Sequence, residues 1–291
     1  MEWIGALKVA IKYMEKHLLE NINADEVADS VYMSPFYLQK GFKIMTGYSI
    51  GEYIRCRRLY MAALDVLADK EKIIELAYKY GYDTPESFTK AFSRFHGVSP
   101  KQIKGDAKKI RTFLPLKINV SIKGGNDMDY VVEKMNKMKV IGYERDFSYE
   151  AAYQEIPKFW SEFCDSCTNG KDSEDKQKAI EECSIGEFGI CIEDDDKQNG
   201  FHYMIAGKYN GINVPEGMKL YEIPTLEWAK FKCTGPMPGA LQSVNTQIFK
   251  EWLPGNPDYE IAAGMNIEWY SKGNSNSFDY ESEIWIPVKK K

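Results

Sequence analysis

The stretch from Ile73 to Pro100 constrains the fold of this chain more than any other. Apolar residues at helical spacing predict a first helix, namely Ile73, Leu76, Ala77 and Tyr80. Gly81 ends this helix, because the residue after a helix end often needs a positive φ. Thr84 can cap a second helix, and Pro85 suits a first turn that needs no amide hydrogen. A helix, a tight turn and a second helix are typical of DNA recognition.

The second helix of this stretch has two different faces. Its apolar stripe, which we expect to be buried, consists of Phe88, Phe92 and Phe95. Glu86, Ser87 and Lys90 face the other way, and they are short or basic enough to touch a polar surface. The sequence therefore predicts a buried face and a reading face, with Arg94 of the same helix as a further DNA contact.

A fainter copy of this unit precedes it in the chain. Asn23 and Glu26 have the spacing of a capping box, which starts a first helix. The Ser34-Pro35 pair repeats the signal of Thr84-Pro85. The helix that follows matches the later reading helix at three positions, Leu38, Lys40 and Phe42. The sequence therefore predicts two reading helices.

A long amphipathic helix over residues 50–67 links the two units. It carries a cluster of arginines, Arg55, Arg57 and Arg58, which either contact phosphate or form a solvated face. A rigid linking helix would hold the reading helices at a fixed separation. Successive major grooves are about 34 Å apart, so one chain could span both, and we expect a monomer or a weak dimer.

Residues 1–108 resemble the DNA-binding domain of the AraC/XylS transcription regulators, through both units, the linking helix and the closing Gly97-Val98-Ser99-Pro100. The resemblance implies double-stranded DNA as a partner, with RNA polymerase as a further one. It places six residues against the bases: Phe36, Gln39, Lys40, Glu86, Ser87 and Lys90. Tyr32 departs from the family, which usually has a turn glycine there, so we expect strain in the first turn.

The charge distribution agrees with a nucleic-acid surface at the front of the chain. The net charge of the whole sequence is -5, yet residues 1–111 carry +4 and the remainder carries -9. Attraction to phosphate depends on local charge within roughly one Debye length. The asymmetry therefore assigns DNA binding to the first part and another task to the second.

The sequence also predicts the compartment and the state of the cysteines. No apolar run approaches the roughly 20 residues of a membrane span, and no signal peptide opens the chain, so we expect a cytoplasmic protein with no membrane partner. The six cysteines are then expected to be free thiols. Cys164 and Cys167 lack a second ligand pair at a suitable spacing, so the sequence predicts no metal site. It predicts no cofactor either.

After a predicted strand over residues 112–123, the pattern from Met128 onward predicts strands interrupted by two helices. The predicted strands are residues 112–123, 130–145, 184–192, 200–208, 226–234, 259–270 and 280–288. The predicted helices are residues 151–167 and 239–252, with a polar loop at 169–178 and an acidic hairpin tip at 193–196. The fold class is therefore two domains, an all-α double helix-turn-helix (1–108) and an α+β domain (109–291) of duplicated strand-helix-strand-strand units.

The second domain resembles the GyrI-like effector-binding domain. The resemblance rests on five segments: Gly124-Gly125-Asn126, Ile156-Pro157-Lys158-Phe159-Trp160, Trp252-Leu253-Pro254, Ile267-Glu268-Trp269-Tyr270 and Glu283-Ile284-Trp285-Ile286-Pro287-Val288. It implies a cleft between two halves, with a glutamate at its centre, that binds lipophilic or cationic small molecules, as multidrug-binding domains do.

Glu268 fits the role of that glutamate. On a strand it shares a face with Asn266 and Tyr270, and aromatic faces attract cations by about 0.5 to 2 kcal/mol each. The predicted ligand-binding residues are Glu268, Trp160, Tyr203, Trp228, Tyr270 and Trp285. The alternative from the residues alone is that Glu268 lies on a wet sheet face while the aromatic residues fill the core.

Two other functions remain open for the second domain. In the first, a buried Glu268 with a raised pKa activates water, and the domain hydrolyses reactive small molecules. The sequence has no nucleophile elbow, Walker loop or dinucleotide fingerprint, so we predict a non-enzyme with no catalytic residues. In the second, the domain is a protein-interaction module.

Overall fold

The computed structural model describes residues 3–69, 71–104, 107–118, 128–169, 173–193 and 200–291. The chain forms two compact units. The first comprises Met1–Met33 and Thr46–Ile122, and the second comprises Ser34–Met45 and Lys123–Lys291. Within the described residues, no helix has the length and apolarity needed to cross a membrane.

The first third of the chain is helical. Its helices are α1 (Trp3–Lys16), α2 (Ala24–Asp29), α3 (Pro35–Thr46), α4 (Ile50–Ala68), α5 (Ile73–Lys79), α6 (Pro85–His96) and α7 (Pro100–Ile103), followed by a 3₁₀ turn at Ala107–Lys109. Both predicted reading helices therefore exist, as α3 and α6. These helices belong to the first unit except α3, of which residues 35–45 belong to the second.

The second helix-turn-helix is built as its sequence predicts. Gly81 has φ +79°, and the backbone amide of Ser87 donates to Thr84 Oγ1 at 3.1 Å, which caps α6. The α6 stripe enters a core formed with α4, α5 and α7, in which Phe88 and Phe92 are fully buried. Burial of this stripe fixes which face of α6 remains outside.

The first turn carries the predicted strain. Asn23 and Glu26 form the expected capping box, with bonds of 2.9 and 3.1 Å. After α2, Tyr32 takes φ +55° while its side chain is 93% exposed. A left-handed backbone costs an L-residue about 1 to 2 kcal/mol, and the exposed ring recovers little of that through packing.

Tyr32→Gly is therefore expected to raise the free energy of unfolding by about 0.5 to 1 kcal/mol, because glycine adopts positive φ without a steric penalty. Urea unfolding followed by circular dichroism measures this. Tyr32→Ala is the control, since it removes the ring but keeps the strain. A glycine variant no more stable than the alanine variant would contradict the interpretation.

The remainder of the second unit is an antiparallel sheet with covering helices. Its strands are β1 (Tyr130–Met135), β2 (Met138–Ser148), β3 (Phe188–Glu193), β4 (Gly200–Lys208), β5 (Lys219–Ile223), β6 (Leu226–Thr234), β7 (Tyr259–Ile261), β8 (Met265–Tyr270) and β9 (Glu281–Lys290). Its further helices are α8 (Ala152–Asn169), α9 (Glu174–Glu182), α10 (Gly239–Gln247), a π-helical turn (Ile248–Trp252) and α11 (Leu253–Gly255).

The strand order shows the predicted duplication. The sheet runs β1-β6-β9-β8-β3-β4-β2-β5, with β7 added on β9. One half of the sheet consists of β2, β4 and β3, the other consists of β6, β9 and β8, and the halves meet at the β3–β8 pair. The edge strand beside β2 is β5, from the second half of the repeat, and the edge strand beside β6 is β1, from the first half. Helix α8 packs on β2, and α10 packs on β6 and β9. The β3–β8 pair therefore lies at the centre of the sheet, between the two helices.

The predicted fold class, helical first and α+β second, is confirmed. The repeat is larger than predicted, because each half begins with an extra strand, β1 or β5, and β5 was not predicted at all. The strand predicted over 130–145 is two strands, since the chain leaves the sheet between β1 and β2. The segment 259–270 is likewise divided, into β7 and β8.

Three other predictions differ from the structure or fall outside it. Residues 112–118 are not a strand, because they pair with no neighbouring strand, and the rest of that predicted strand lies outside the described residues. The loop predicted at 169–178 contains the start of α9. The acidic tip is described only at Glu193. The domain boundary at 108/109 stays a prediction.

Candidate DNA-reading helices and effector cleft

The predicted reading face of α6 is open. Glu86, Ser87, Lys90 and Arg94 are all exposed, and a shallow depression runs along the helix between Pro85 and Ser93. The face combines a carboxylate, a hydroxyl and cations. These groups can pair with base edges and phosphates.

The predicted reading face of α3 is covered. Phe36 and Gln39 are only 2% and 4% exposed, and Lys40 is half-buried. In this conformation the first two side chains could not touch a base. The two reading helices, similar in sequence, thus differ in accessibility.

The arginine cluster of α4 is mostly structural. Arg57 is buried and donates to both carboxylate oxygens of Glu15 at 2.7 and 2.8 Å, and also to the Phe113 carbonyl. Arg58 donates to the carbonyls of Leu18 and Glu20. Arg55 is exposed, so of the three it alone fits the predicted phosphate contact.

The centre of the sheet carries a carboxylate surrounded by aromatic groups. The hydroxyls of Tyr203 (β4) and Tyr270 (β8) donate to Glu268 Oε2 at 3.0 and 2.8 Å. Trp160 Nε1 of α8 donates to the Tyr203 hydroxyl at 2.8 Å, and its ring lies 5.2 Å from that of Tyr270. We call these four residues the Glu268 cluster.

The tyrosines of this cluster are neutral donors. Burial raises the pKa of both Tyr203 and Tyr270, and the nearby Glu268 carboxylate raises it further. Neither phenol can therefore serve as a base near neutral pH. The cluster presents one carboxylate framed by uncharged rings, an arrangement that can attract a cation.

Strand register explains why the cluster forms at this place. Glu268 pairs with Gly189 of β3, where an added Cβ would lie 2.1 Å from the Tyr203 hydroxyl oxygen and 3.0 Å from Glu268 Oε2. Only glycine leaves room for the tyrosine to cross to the carboxylate. Sequence reasoning missed Gly189, because the need for glycine appears only once the two strands are aligned.

Two further residues of this face were not predicted as site residues. Cys191 pairs with both Tyr203 and Asn266, so all three lie on the Glu268 side of the sheet. Burial raises the pKa of the Cys191 thiol to about 12, so it stays protonated. We call the face formed by Cys191, Tyr203, Asn266 and Glu268 the effector cleft.

Trp228 and Trp285, also predicted to bind ligand, belong elsewhere. Trp228 is fully buried and Trp285 nearly so, in the core on the opposite face with Ile190, Met204 and Ile267. The register pairs Trp285 with Ile267, whereas Glu268 pairs with Ile284. The prediction for these two tryptophans is therefore corrected, because side chains alternate across the sheet.

The six cysteines are free thiols. Cys164 and Cys167 both lie exposed on α8, one turn apart. Within the described residues, no group of three His, Cys, Asp or Glu side chains could hold a metal ion.

Two family models match this sequence. The model for integron-associated effector binding proteins (Cass2) matches residues 132–288, just over half of the chain. A helix-turn-helix model (HTH_18) matches residues 27–105. The two matches coincide with the helical region and with the sheet that carries Glu268.

Individual relatives and solved structures each match only part of the chain. The transposon Tn10 TetD protein of Escherichia coli is 35% identical over 94 residues, which are 32% of this chain and 68% of TetD. The right origin-binding protein of Escherichia coli K12 is 33% identical over 100 residues, which are 34% of this chain and only 35% of that protein. The match to the solved structure of SAV2435 bound to tetraphenylphosphonium spans 56% of this chain and 94% of the SAV2435 chain, with 20% identity and a TM-score of 0.45.

Proposed function

Because this chain belongs to the integron-associated effector binding proteins and carries an AraC-type helix-turn-helix region, we propose that it is a sequence-specific transcriptional regulator controlled by a lipophilic cation. The helix-turn-helix region would read double-stranded DNA. The effector cleft would bind the cation. RNA polymerase is the further partner we propose, with the regulator acting as a monomer or weak dimer.

One observation carries the effector half of this proposal. The Glu268 carboxylate accepts two tyrosine hydroxyls beside the Trp160 ring at the centre of the sheet. Glu268 is half-buried, a carboxylate partly withdrawn from water is stabilised by a counter-charge, and aromatic faces favour a cation that has shed its water. Trp160, Tyr203 and Tyr270 are thus the proposed aromatic contacts, with Glu268 as the counter-charge.

Titration calorimetry with two probes of the same shape tests the effector half. Tetraphenylphosphonium is a cation, and tetraphenylsilane is its neutral counterpart. Where the low solubility of tetraphenylsilane prevents direct titration, its ability to compete with bound tetraphenylphosphonium is measured instead. We expect the cation to bind and the neutral probe to bind at least tenfold more weakly. Equal affinities would show an apolar site in which Glu268 has no part.

Lys90→Ala tests the DNA half. The first step selects a binding sequence from random duplexes with the purified protein. If Lys90 contacts a base, the variant should lose about 1 to 2 kcal/mol of discrimination between selected and scrambled duplexes. Fluorescence anisotropy at fixed salt measures both affinities.

Lys101→Ala is the matched control for this experiment, because it removes an exposed lysine of α7 outside the reading face. It should leave discrimination unchanged. A Lys90 variant that loses affinity equally for both duplexes would assign Lys90 to phosphate rather than to a base.

The enzyme and protein-interaction alternatives have separate outcomes. Hydrolysis of a reactive ester by the purified protein that is lost in Glu268→Gln would show hydrolase activity at Glu268. Capture of a protein by the sheet domain, without any binding of cations, would favour an interaction module.

A further inference from the structure

Helix α3 lies on the sheet face that carries the effector cleft. The Phe36 ring is 5.5 Å from the Phe201 ring of β4 and 6.3 Å from the Tyr149 ring. The Tyr37 ring is 6.3 Å from Phe249 of the π-helical turn. This helix of a DNA-binding motif is therefore packed among the aromatic residues of the effector-binding domain.

The first turn of α3 is held by a carboxylate of the sheet. Glu193, at the end of β3, accepts the Ser34 hydroxyl at 2.6 Å and the Phe36 amide at 2.8 Å. Helix N-termini expose unpaired amides and a positive dipole end, so a carboxylate there is favourable. A Cβ on Gly264 would lie 1.6 Å from Glu193 Oε2, so this glycine leaves the room that the carboxylate fills.

Two side chains of α3 then reach the effector cleft itself. The Tyr37 hydroxyl donates to the Met265 carbonyl at 2.6 Å. Lys40 Nζ donates to Asn266 Oδ1 at 3.1 Å. Asn266 lies two residues before Glu268 on the same strand face. The ammonium group of Lys40 therefore already lies next to the position proposed for the effector.

The fit between α3 and the cleft is incomplete. Gln39 and Asn266 are 4% and 1% exposed, yet neither amide nitrogen has a hydrogen-bond partner among the described residues. A buried donor without a partner costs free energy. A base edge could supply the acceptor that Gln39 lacks in the docked state, so docking of α3 leaves unsatisfied donors that its release to DNA or to water would satisfy.

We propose that α3 is a built-in occupant of the effector cleft, and that the effector binds by displacing it. The inference rests on the proposed function of this site. Phe36 and Gln39 cannot read bases while they are buried, so displacement by the effector would return α3 to DNA. Effector and specific DNA then favour the same undocked state, and each raises the affinity for the other by an equal factor.

The size of this coupling follows from the docked fraction. The apparent dissociation constant equals the intrinsic one divided by the undocked fraction. If α3 is docked in about nine molecules of ten, its release raises the affinity for tetraphenylphosphonium up to about tenfold. The affinity for the selected duplex should rise by the same factor.

Glu193→Gln tests the proposal, because it removes the charge at the first turn of α3 but belongs neither to the proposed reading face nor to the Glu268 cluster. Without any ligand, the variant should bind the selected duplex about three- to tenfold more tightly than wild type. It should also bind tetraphenylphosphonium more tightly by a similar factor. Glu181→Gln, which removes an exposed carboxylate of α9, is the control and should change neither affinity.

Hydrogen exchange on the wild type provides a second measurement that needs no variant. Saturating tetraphenylphosphonium should increase deuterium uptake in residues 36–45 and decrease it in residues 265–270. Protection of residues 36–45 that persists with the ligand bound would overturn the proposal, as would unchanged DNA affinity in a folded Glu193→Gln protein. Failure of the cation to bind at all would contradict the proposed effector site, while the ligand-free DNA measurement would still test α3.

Discussion

Arg57→Ala is expected to destabilise the protein by about 3 kcal/mol, although Arg57 belongs to a cluster whose sequence suggested contact with phosphate. The guanidinium is buried and pairs with both oxygens of Glu15. Its third bond, to the Phe113 carbonyl, ties α4 to the segment after α7. Removing one partner of a buried pair leaves the other charge uncompensated, and such changes cost about 3 to 5 kcal/mol; Glu15 is 23% exposed, which places the loss at the low end.

Urea unfolding of the whole protein measures this loss. Arg55→Ala is the matched control, because Arg55 is an exposed arginine on the same helix, and its removal should cost no more than about 0.5 kcal/mol. Arg57→Lys should recover less than half of the loss, since an ammonium cannot reproduce the bidentate geometry. Equal stabilities of the Arg55 and Arg57 alanine variants would refute the structural role of Arg57.

Glu268→Gln is expected to weaken binding of tetraphenylphosphonium by about 2 to 3 kcal/mol, or roughly 30- to 150-fold. The change keeps the shape of the side chain and an oxygen for the hydroxyls of Tyr203 and Tyr270. It removes the counter-charge, so a desolvated cation would be left unpaired. Affinity for the selected duplex without ligand should stay within about threefold of wild type.

Two comparisons make this result specific to the cleft. Glu283→Gln removes the same charge from the opposite face of the sheet, where Glu283 accepts the Trp285 indole N–H, and should change cation affinity by less than twofold. The affinity for a neutral probe should be similar in the wild type and in the Glu268→Gln and Glu283→Gln variants. Parallel losses of cation and DNA affinity in Glu268→Gln would indicate a folding defect instead.

The second helix-turn-helix could be predicted residue by residue, because local chemistry fixes it. A glycine at positive φ, a threonine cap and a proline in the first turn each act within a few residues of their position. The strain at Tyr32 was predicted from the resemblance instead, because the family usually has a turn glycine at that position. The structural role of Arg57 was not predictable, since its partner Glu15 lies on another helix and no local pattern connects them.

The cleft was only partly predictable. Alternation along β8 places Glu268 and Tyr270 on one face, and that is confirmed. Alternation does not give the register between strands, so Trp285 was assigned to the wrong face by a shift of one residue. Gly189 and Cys191 gained meaning only from pairing with strands distant in sequence. The docking of α3 gave no local signal, because Phe36 and Tyr37 fit an aromatic cleft as well as a helical core.

A single titration tests the central claim, that a cation bound at Glu268 controls reading of DNA. The affinity of the wild-type protein for its selected duplex is measured at increasing concentrations of tetraphenylphosphonium. We expect the affinity to rise to a plateau with the ligand, and to remain constant in Glu268→Gln over the same range. Calorimetry verifies that the cation saturates the cleft. Saturation without any change in DNA affinity would contradict control of DNA binding by the cation.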